Sequence, residues 1–460
     1  MSNKDRSSSN KKRIIISLFS SLFIFLCYIP VYLAYYPGVF AYDISYQTSM
    51  ILGDIPLSTQ QPVVHTLLWG LIMKLAGIVG LSDIVLYSVL QIIFVSISLG
   101  YIIYKLFKFE KKSNYVWLAV FLLFWALNPI LSFMSFSTCK NICFGCFLLC
   151  LYTDIYKCLS SEKQKKTLYI EICITTLISC LFLNNFFHVI ILYLVIAIIA
   201  NKFITNKKLL YSLAIGIIVY FLINNIGFSL AKIEKGPSKE MLCVPLQQMI
   251  YAVERGKIDI DHEIAIKEFF YNGDYGYFQL GNVDEIKRNF SEEQFDENKI
   301  EFFKLYVHTL CKDPIGATYS FLRLNYPLWA PKPVDIRKYA MIHYLESFSY
   351  EGVPDSYHGF ARSSKLPFVY EVFESITSFN AFESSFILKF IFGVSFPFWV
   401  FVICTINLIR KKEHSKIWAI IPYYLLWGTH LFGPLSNMRY VYPMILAIPL
   451  ILFYSFEKKE

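Results

Sequence analysis

The chain has 460 residues, of which 56% are hydrophobic, 18% aromatic and 17% charged, with a mean hydropathy of +0.48 and a formal net charge of +9. So much apolar surface exceeds what soluble cores bury, which excludes an ordinary globular protein and points to an integral membrane protein. The basic excess sits in loops between apolar runs, so topology accounts for it and no nucleic-acid partner is implied.

Residues 1–13 form a basic tail, expected to be cytoplasmic. The first apolar run, 14–35, is too long for a cleavable signal and lacks a small-residue cleavage site, so it is expected to remain as a signal anchor. Crossing the hydrocarbon layer takes about 20 apolar residues. On that basis about ten spans are expected, at 14–35, 82–104, 115–135, 141–157, 168–184, 186–201, 209–229, 384–409, 417–434 and 438–456. The apolar stretch 62–80 is short, begins at Pro62 and carries Lys74, so it reads as a helix lying on the membrane surface. With that assignment Lys and Arg concentrate in 11–13, 105–112, 157–166, 206–208, 410–416 and 457–460, all on the inner side. The outer segment 36–61 has no Lys or Arg at all. Both termini are therefore expected in the cytoplasm.

Residues 14–229 read as an N-terminal transmembrane module with an outer loop at 36–81, and 384–460 as C-terminal transmembrane helices. Between them, 230–383 mixes charged and aromatic residues and reads as a mainly helical extracytoplasmic domain. Ser291 with Gln294 predicts a capping box opening a helix toward Leu310, and Asp313–Pro314 predicts the start of the next. Most of the eleven cysteines fall in spans as small apolar residues; Cys139, Cys143, Cys146 and Cys150 form a helical stripe read as packing rather than as a metal site. Cys243 and Cys311 could pair, a point the sequence leaves open.

The order of YD at 42–43, GD at 53–54 and QQPVVH at 60–65 resembles the GT-C superfamily of polytopic glycosyltransferases. More narrowly, with TCKNICFGCFLL at 138–149, LFLNNFFHVIIL at 181–192, EMLCVPLQQMIYAV at 240–253 and GPLSNMRYVYP at 433–443, the chain resembles an uncharacterised Gram-positive membrane protein family numbered 6020 among domains of unknown function. The resemblance implies an all-α, GT-C-like bundle with surface helices in the first outer loop. It also implies transfer of a sugar from a polyprenyl-phosphate donor to a cell-envelope glycan or lipid acceptor at the outer face of the cell membrane, with membrane lipids as the other partner.

In such a transfer a carboxylate takes the acceptor hydroxyl's proton as that oxygen attacks the anomeric carbon, and Asp43 is the expected base. The leaving phosphate needs cations or amides, for which Lys140 and Arg439 are the outward candidates. Gln47, Asp54, Gln61, His65, Asn184, Asn185, Gln247, Gln248 and Tyr440 are assigned to substrate binding. Several have a plainer reading: Asp43 as a solvated interfacial residue, Arg439 beside Tyr440 as an interfacial anchor, His65 as a packing residue, Asn184 and Asn185 as a span end, Gln247 and Gln248 as helix surface. Several GT-C enzymes place an acid beside the lysine of the second outer loop and bind a divalent ion with it. Here Lys140 is followed by Asn141, a poor ligand for a hard cation, so an inverting, metal-independent reaction without a cofactor is expected. A lipid-linked sugar flippase, a transporter or a polysaccharide polymerase is the alternative.

Overall fold

The computed structural model describes residues 3–160, 164–200, 206–331, 363–378 and 384–457. Parts of five expected regions lie outside these residues: 1–2 of the basic tail, 161–163 of an inner loop, 201–205 at the end of the span 186–201 and just beyond it, 332–362 and 379–383 of the extracytoplasmic domain, and the last three residues of the basic C-terminus. Among the described residues every regular element is a helix, joined by isolated bridge pairs only.

The membrane-type helices are α1 (Asn3–Ala34), then α2 (Tyr42–Leu52) and α3 (Val63–Val79) in the first loop, α4 (Asp83–Leu106), α5 (Lys112–Leu127), α6 (Pro129–Met134), α7 (Lys140–Ser160), α8 (Lys166–Phe182) and α9 (Phe186–Ile199). Next, α10 (Lys207–Phe221) passes through a π turn at Leu222–Gly227 into α11 (Phe228–Leu230). A second group follows: α12 (Cys243–Glu254), α13 (Ile260–Lys267), α14 (Asp284–Asn289), α15 (Glu292–Glu297), α16 (Lys299–Lys312) and α17 (Pro314–Trp329). The chain ends with α18 (Pro367–Thr377), α19 (Phe386–Ile391), α20 (Phe396–Arg410), α21 (His414–His430) and α22 (Met438–Phe456).

Five stretches, Asn10–Ala34, Asp83–Leu106, Lys140–Ser160, Lys207–Leu230 and Met438–Phe456, are long and apolar enough to cross a membrane, as a membrane protein requires. The other expected spans are helical but shorter. The 115–135 stretch breaks at Asn128–Pro129, because proline lacks an N–H and the Asn128 side chain caps α6 by accepting from Ile130 and Leu131. The 384–409 stretch breaks around Gly393, and Pro397 starts a new helix one residue into α20.

α7 is the axis of the bundle, lined by α4, α8, α21 and α22. Its GCFLLC run supplies small residues, so neighbours approach closely: a Cβ on Gly145 would meet the Tyr442 ring at 3.0 Å. Tyr28 donates to the Trp125 carbonyl oxygen at 2.7 Å and Trp125 donates to that of Leu446 at 2.9 Å, tying α1, α5 and α22 together. The four cysteines of the stripe are buried free thiols. Cys243 is buried and Cys311 exposed, and both are free thiols.

A second core gathers α12 to α17, with Leu246, Ile250, Phe290 and Phe302 at its centre. Ser291 caps α15 by accepting from Gln294 N at 3.3 Å, but the helix stops at Asn298 and α16 begins anew, so the single helix toward Leu310 is two. Asp313 caps α17 by accepting from Gly316 N at 3.0 Å, as expected.

The α1–α4 contact is set by Gly100, where a Cβ would lie 2.7 Å from the Ser17 carbonyl oxygen and closer still to Ser21 Oγ. Gly100→Val should therefore cost about 1–3 kcal/mol and lower the melting temperature of the detergent-purified protein. Gly77→Ala, where nothing lies within 4 Å, is the control expected to leave it unchanged.

Candidate functional site: one carboxylate between two cations

The loop after α1 is stitched to the segment before α7. Thr138 N donates to the Val39 carbonyl oxygen at 3.0 Å, and Ala41 N donates to Thr138 Oγ1 at 2.8 Å. This fixes the entry to α2, so that Asp43, in its first turn, faces Lys140, the first residue of α7. An acid in the first helical turn also complements the local dipole.

Arg439 comes from the far end of the chain. Asn437 caps α22 by accepting from Arg439 N at 3.0 Å, and the close approach of Gly145 to Tyr442 brings the start of α22 beside that of α7. The preceding loop is gripped by the second core: Val283 N donates to the Pro434 carbonyl oxygen, Asn325 to that of Leu431, and Ser436 Oγ to that of Leu324.

The three side chains meet. Arg439 Nη1 lies 2.9 Å and Lys140 Nζ 3.1 Å from the same oxygen, Asp43 Oδ2. Each retains about one sixth of its exposure, 16% for Asp43, 15% for Lys140 and 17% for Arg439, so the cluster is open to a ligand. Burial by itself would raise the Asp43 pKa, but the charges of Arg439 and Lys140, and the hydrogen bonds both donate, outweigh it and hold the carboxyl below the usual range. The trio carries one surplus positive charge.

Around it the first loop supplies polar side chains. Lys140 Nζ donates to Gln61 Oε1. Gln61 is held because its loop pairs with the chain entering the second core: Thr59 N donates to the Glu234 carbonyl oxygen at 2.8 Å, Glu234 N to that of Leu57 at 2.9 Å, and Asn184 Nδ2 to that of Thr59 at 2.7 Å. His65 is fully buried between Gln47 Oε1 at 2.7 Å and Tyr87 OH at 2.8 Å. Burial, with the Lys140 charge adding to it, pushes its pKa down to about 3, so the ring is neutral and serves as a hydrogen-bonded strut. Tyr440 receives the Arg439 guanidinium over its ring at 5.2 Å and stacks on His430 at 5.5 Å.

Of the other expected residues, Asp54 is exposed beyond α2 and makes no contact with the trio, and Asn185 is exposed before α9. Gln248 spends its amide on packing, donating to the Ala317 carbonyl oxygen at 3.0 Å and accepting from Tyr306 OH at 2.6 Å. Gln247 is fully buried with neither amide atom hydrogen-bonded. Sequence reasoning missed Thr138, Tyr87 and His430, which lie in or beside apolar runs where no pattern distinguishes them.

The chain is thus an all-helical protein of membrane type with a charged cluster at the meeting point of three helix starts. A family of unknown function, DUF6020, matches residues 53–268, a stretch containing Gln61, His65, Lys140, Asn184 and Gln247 but neither Asp43 nor Arg439. No curated protein and no solved structure matches the chain.

Because the His65 pKa is lower in the fold than its ordinary value of 6.5, protonation favours the unfolded chain. Stability contributed by the neutral ring is complete above pH 6.5 and is lost as pH falls toward 3. Thermal melting across that range should show a decline that His65→Gln makes shallower between pH 6.5 and 5, before carboxylates such as Asp43 begin to take up protons in the unfolded chain.

Proposed function

We propose that this protein is a membrane glycosyltransferase of GT-C type that moves a sugar from a polyprenyl-phosphate donor to a cell-envelope acceptor. The observation that supports it is Asp43 lying within 3.1 Å of both Lys140 and Arg439. A base for the acceptor hydroxyl and cations for the leaving phosphate are the two requirements of the inverting reaction, and here they adjoin. As the acceptor oxygen bonds to the anomeric carbon, its proton passes to Asp43 and the sugar–phosphate bond breaks with its electron pair on phosphate. The carboxylate loses one charge while the phosphate gains one, so the two cations keep a constant load. Gln61, beside Lys140, offers an amide to the sugar or phosphate oxygens.

In this reading the chain has about ten spans with both termini cytoplasmic, and α3 lies on the outer membrane surface. Its exposed apolar residues Leu67, Leu71, Leu75 and Ile78 recur at helical spacing, as a surface helix resting on lipid requires. Asn141 is buried beside Cys139 and replaces the acid a divalent ion would use, which favours a metal-independent reaction.

A flippase or transporter is the competing reading, favoured by a second charged cluster in the bundle. There Lys105 pairs with fully buried Asp154 and with Glu171, about 20 Å along α7 from Lys140. Turnover separates the two. With a polyprenyl-phosphate sugar donor and activity normalised to folded protein, Arg439→Lys should lower transfer and Arg439→Ala should lower it by about 30- to 1000-fold, since lysine offers a point charge where arginine offers a planar fork. A chelator should change nothing. Equal turnover for all three proteins would remove Arg439 from the site.

Sidedness has its own check. In a cysteine-free background, an impermeant thiol reagent should label a cysteine placed at position 54 in intact cells. Labelling only after permeabilisation would place the site on the wrong side.

A further inference from the structure

Lys140 and Arg439 both contact a single carboxylate oxygen of Asp43. A phosphate needs those same two cations, and a carboxylate that holds both of them is a weak base, so Asp43 and an incoming phosphate compete for the same two side chains. We infer that the donor's phosphate enters by displacing Asp43 from Lys140 and Arg439, so that donor binding itself releases the base and must come before acceptor activation. This rests on the reading of the trio as a donor-phosphate site, and it adds an order of events and an internal competitor to that reading.

Three observations carry it. The trio has two cations for one acid, so an incoming anion is attracted even while Asp43 is in place. Both cations stand in the first turn of long helices, α7 and α22, whose N-terminal dipole ends add to the same field. Two buried donors at the cluster lack acceptors, Arg439 Nε and, one helical turn after Asp43, Gln47 Nε2. A carboxylate offers two oxygens, both contacts here falling on one of them. The donor's phosphodiester also offers two unesterified oxygens, which can go to different donors, and the polyprenyl phosphate left after transfer offers three, enough to serve donors that Asp43 leaves unmet.

If Asp43 is an internal competitor, removing it strengthens anion binding even as it removes the base. Asp43→Asn in detergent should bind polyprenyl phosphate at least about tenfold more tightly than the wild type, by calorimetry or by ligand-induced rise in melting temperature. Without ligand the variant leaves two cations facing each other, so it should melt lower than the wild type and recover more with ligand. A second background guards against a variant that does not fold. Lys140→Gln lowers the surplus charge and leaves Arg439 locked to Asp43, so it should bind weakly, whereas Lys140→Gln with Asp43→Asn frees Arg439 and should bind more tightly than Lys140→Gln alone. Inorganic phosphate serves as the second probe, and its binding should show the same rank order at much lower affinity.

Unchanged or weaker binding on removal of Asp43 in both backgrounds would overturn the exchange, as would inorganic phosphate binding as tightly as the lipid. Failure here is distinguishable from failure of the transferase reading. Tighter binding in Asp43→Asn stands without any glycosyl transfer, and transfer by the wild type stands if the exchange is wrong.

Discussion

Two cations held within 3.1 Å of one carboxylate oxygen, at the edge of a largely apolar bundle, are the constraint on which this structure turns. Such an arrangement is not assembled for stability, because desolvating three charges costs roughly what their attraction returns. It persists because the surrounding backbone fixes each member separately. The 39–41 segment is bonded to 136–138, Asn437 caps the helix that carries Arg439, and small Gly145 lets α22 approach α7. Each device acts on a helix start, so the charges are aimed by backbone and do not depend on one another for position.

The second core adds to this. It does not place a charged side chain on the trio; it holds the 431–436 segment through Val283, Leu324 and Asn325, and the chain leading into it holds the 57–60 segment through Glu234. Movement of α12 to α17 would therefore reach Gln61 and Arg439 together. In the proposed function this couples the outer domain to both the sugar side and the phosphate side of the donor.

The helical class, the membrane character and most helix positions were legible in the sequence, because apolar runs of span length and their charged punctuation carry that information directly. What the sequence hid was length. Asn128–Pro129 and the turn around Gly393 cut expected spans into shorter pieces, and the local cap decided this rather than average hydropathy. Within the site, Asp43, Lys140 and Arg439 stood out because each is a charge in a short loop otherwise poor in them. Their convergence across 396 positions of sequence depends on tertiary packing and had no local signal. The amides fared differently from one another: Gln61 joins Lys140, Gln47 braces His65, and Gln248 is spent on packing, distinctions that rest on which helix face points inward.

The most direct test of glycosyl transfer at Asp43 is made in the cell. Cell-envelope glycans and lipid-linked sugars would be compared by mass spectrometry between the parent strain and one carrying chromosomal Asp43→Asn, with equal amounts of inserted protein verified. One envelope sugar modification should disappear while its polyprenyl-phosphate sugar donor is retained or accumulates. An unchanged glycan profile, with the variant protein present at the parental level, would contradict it.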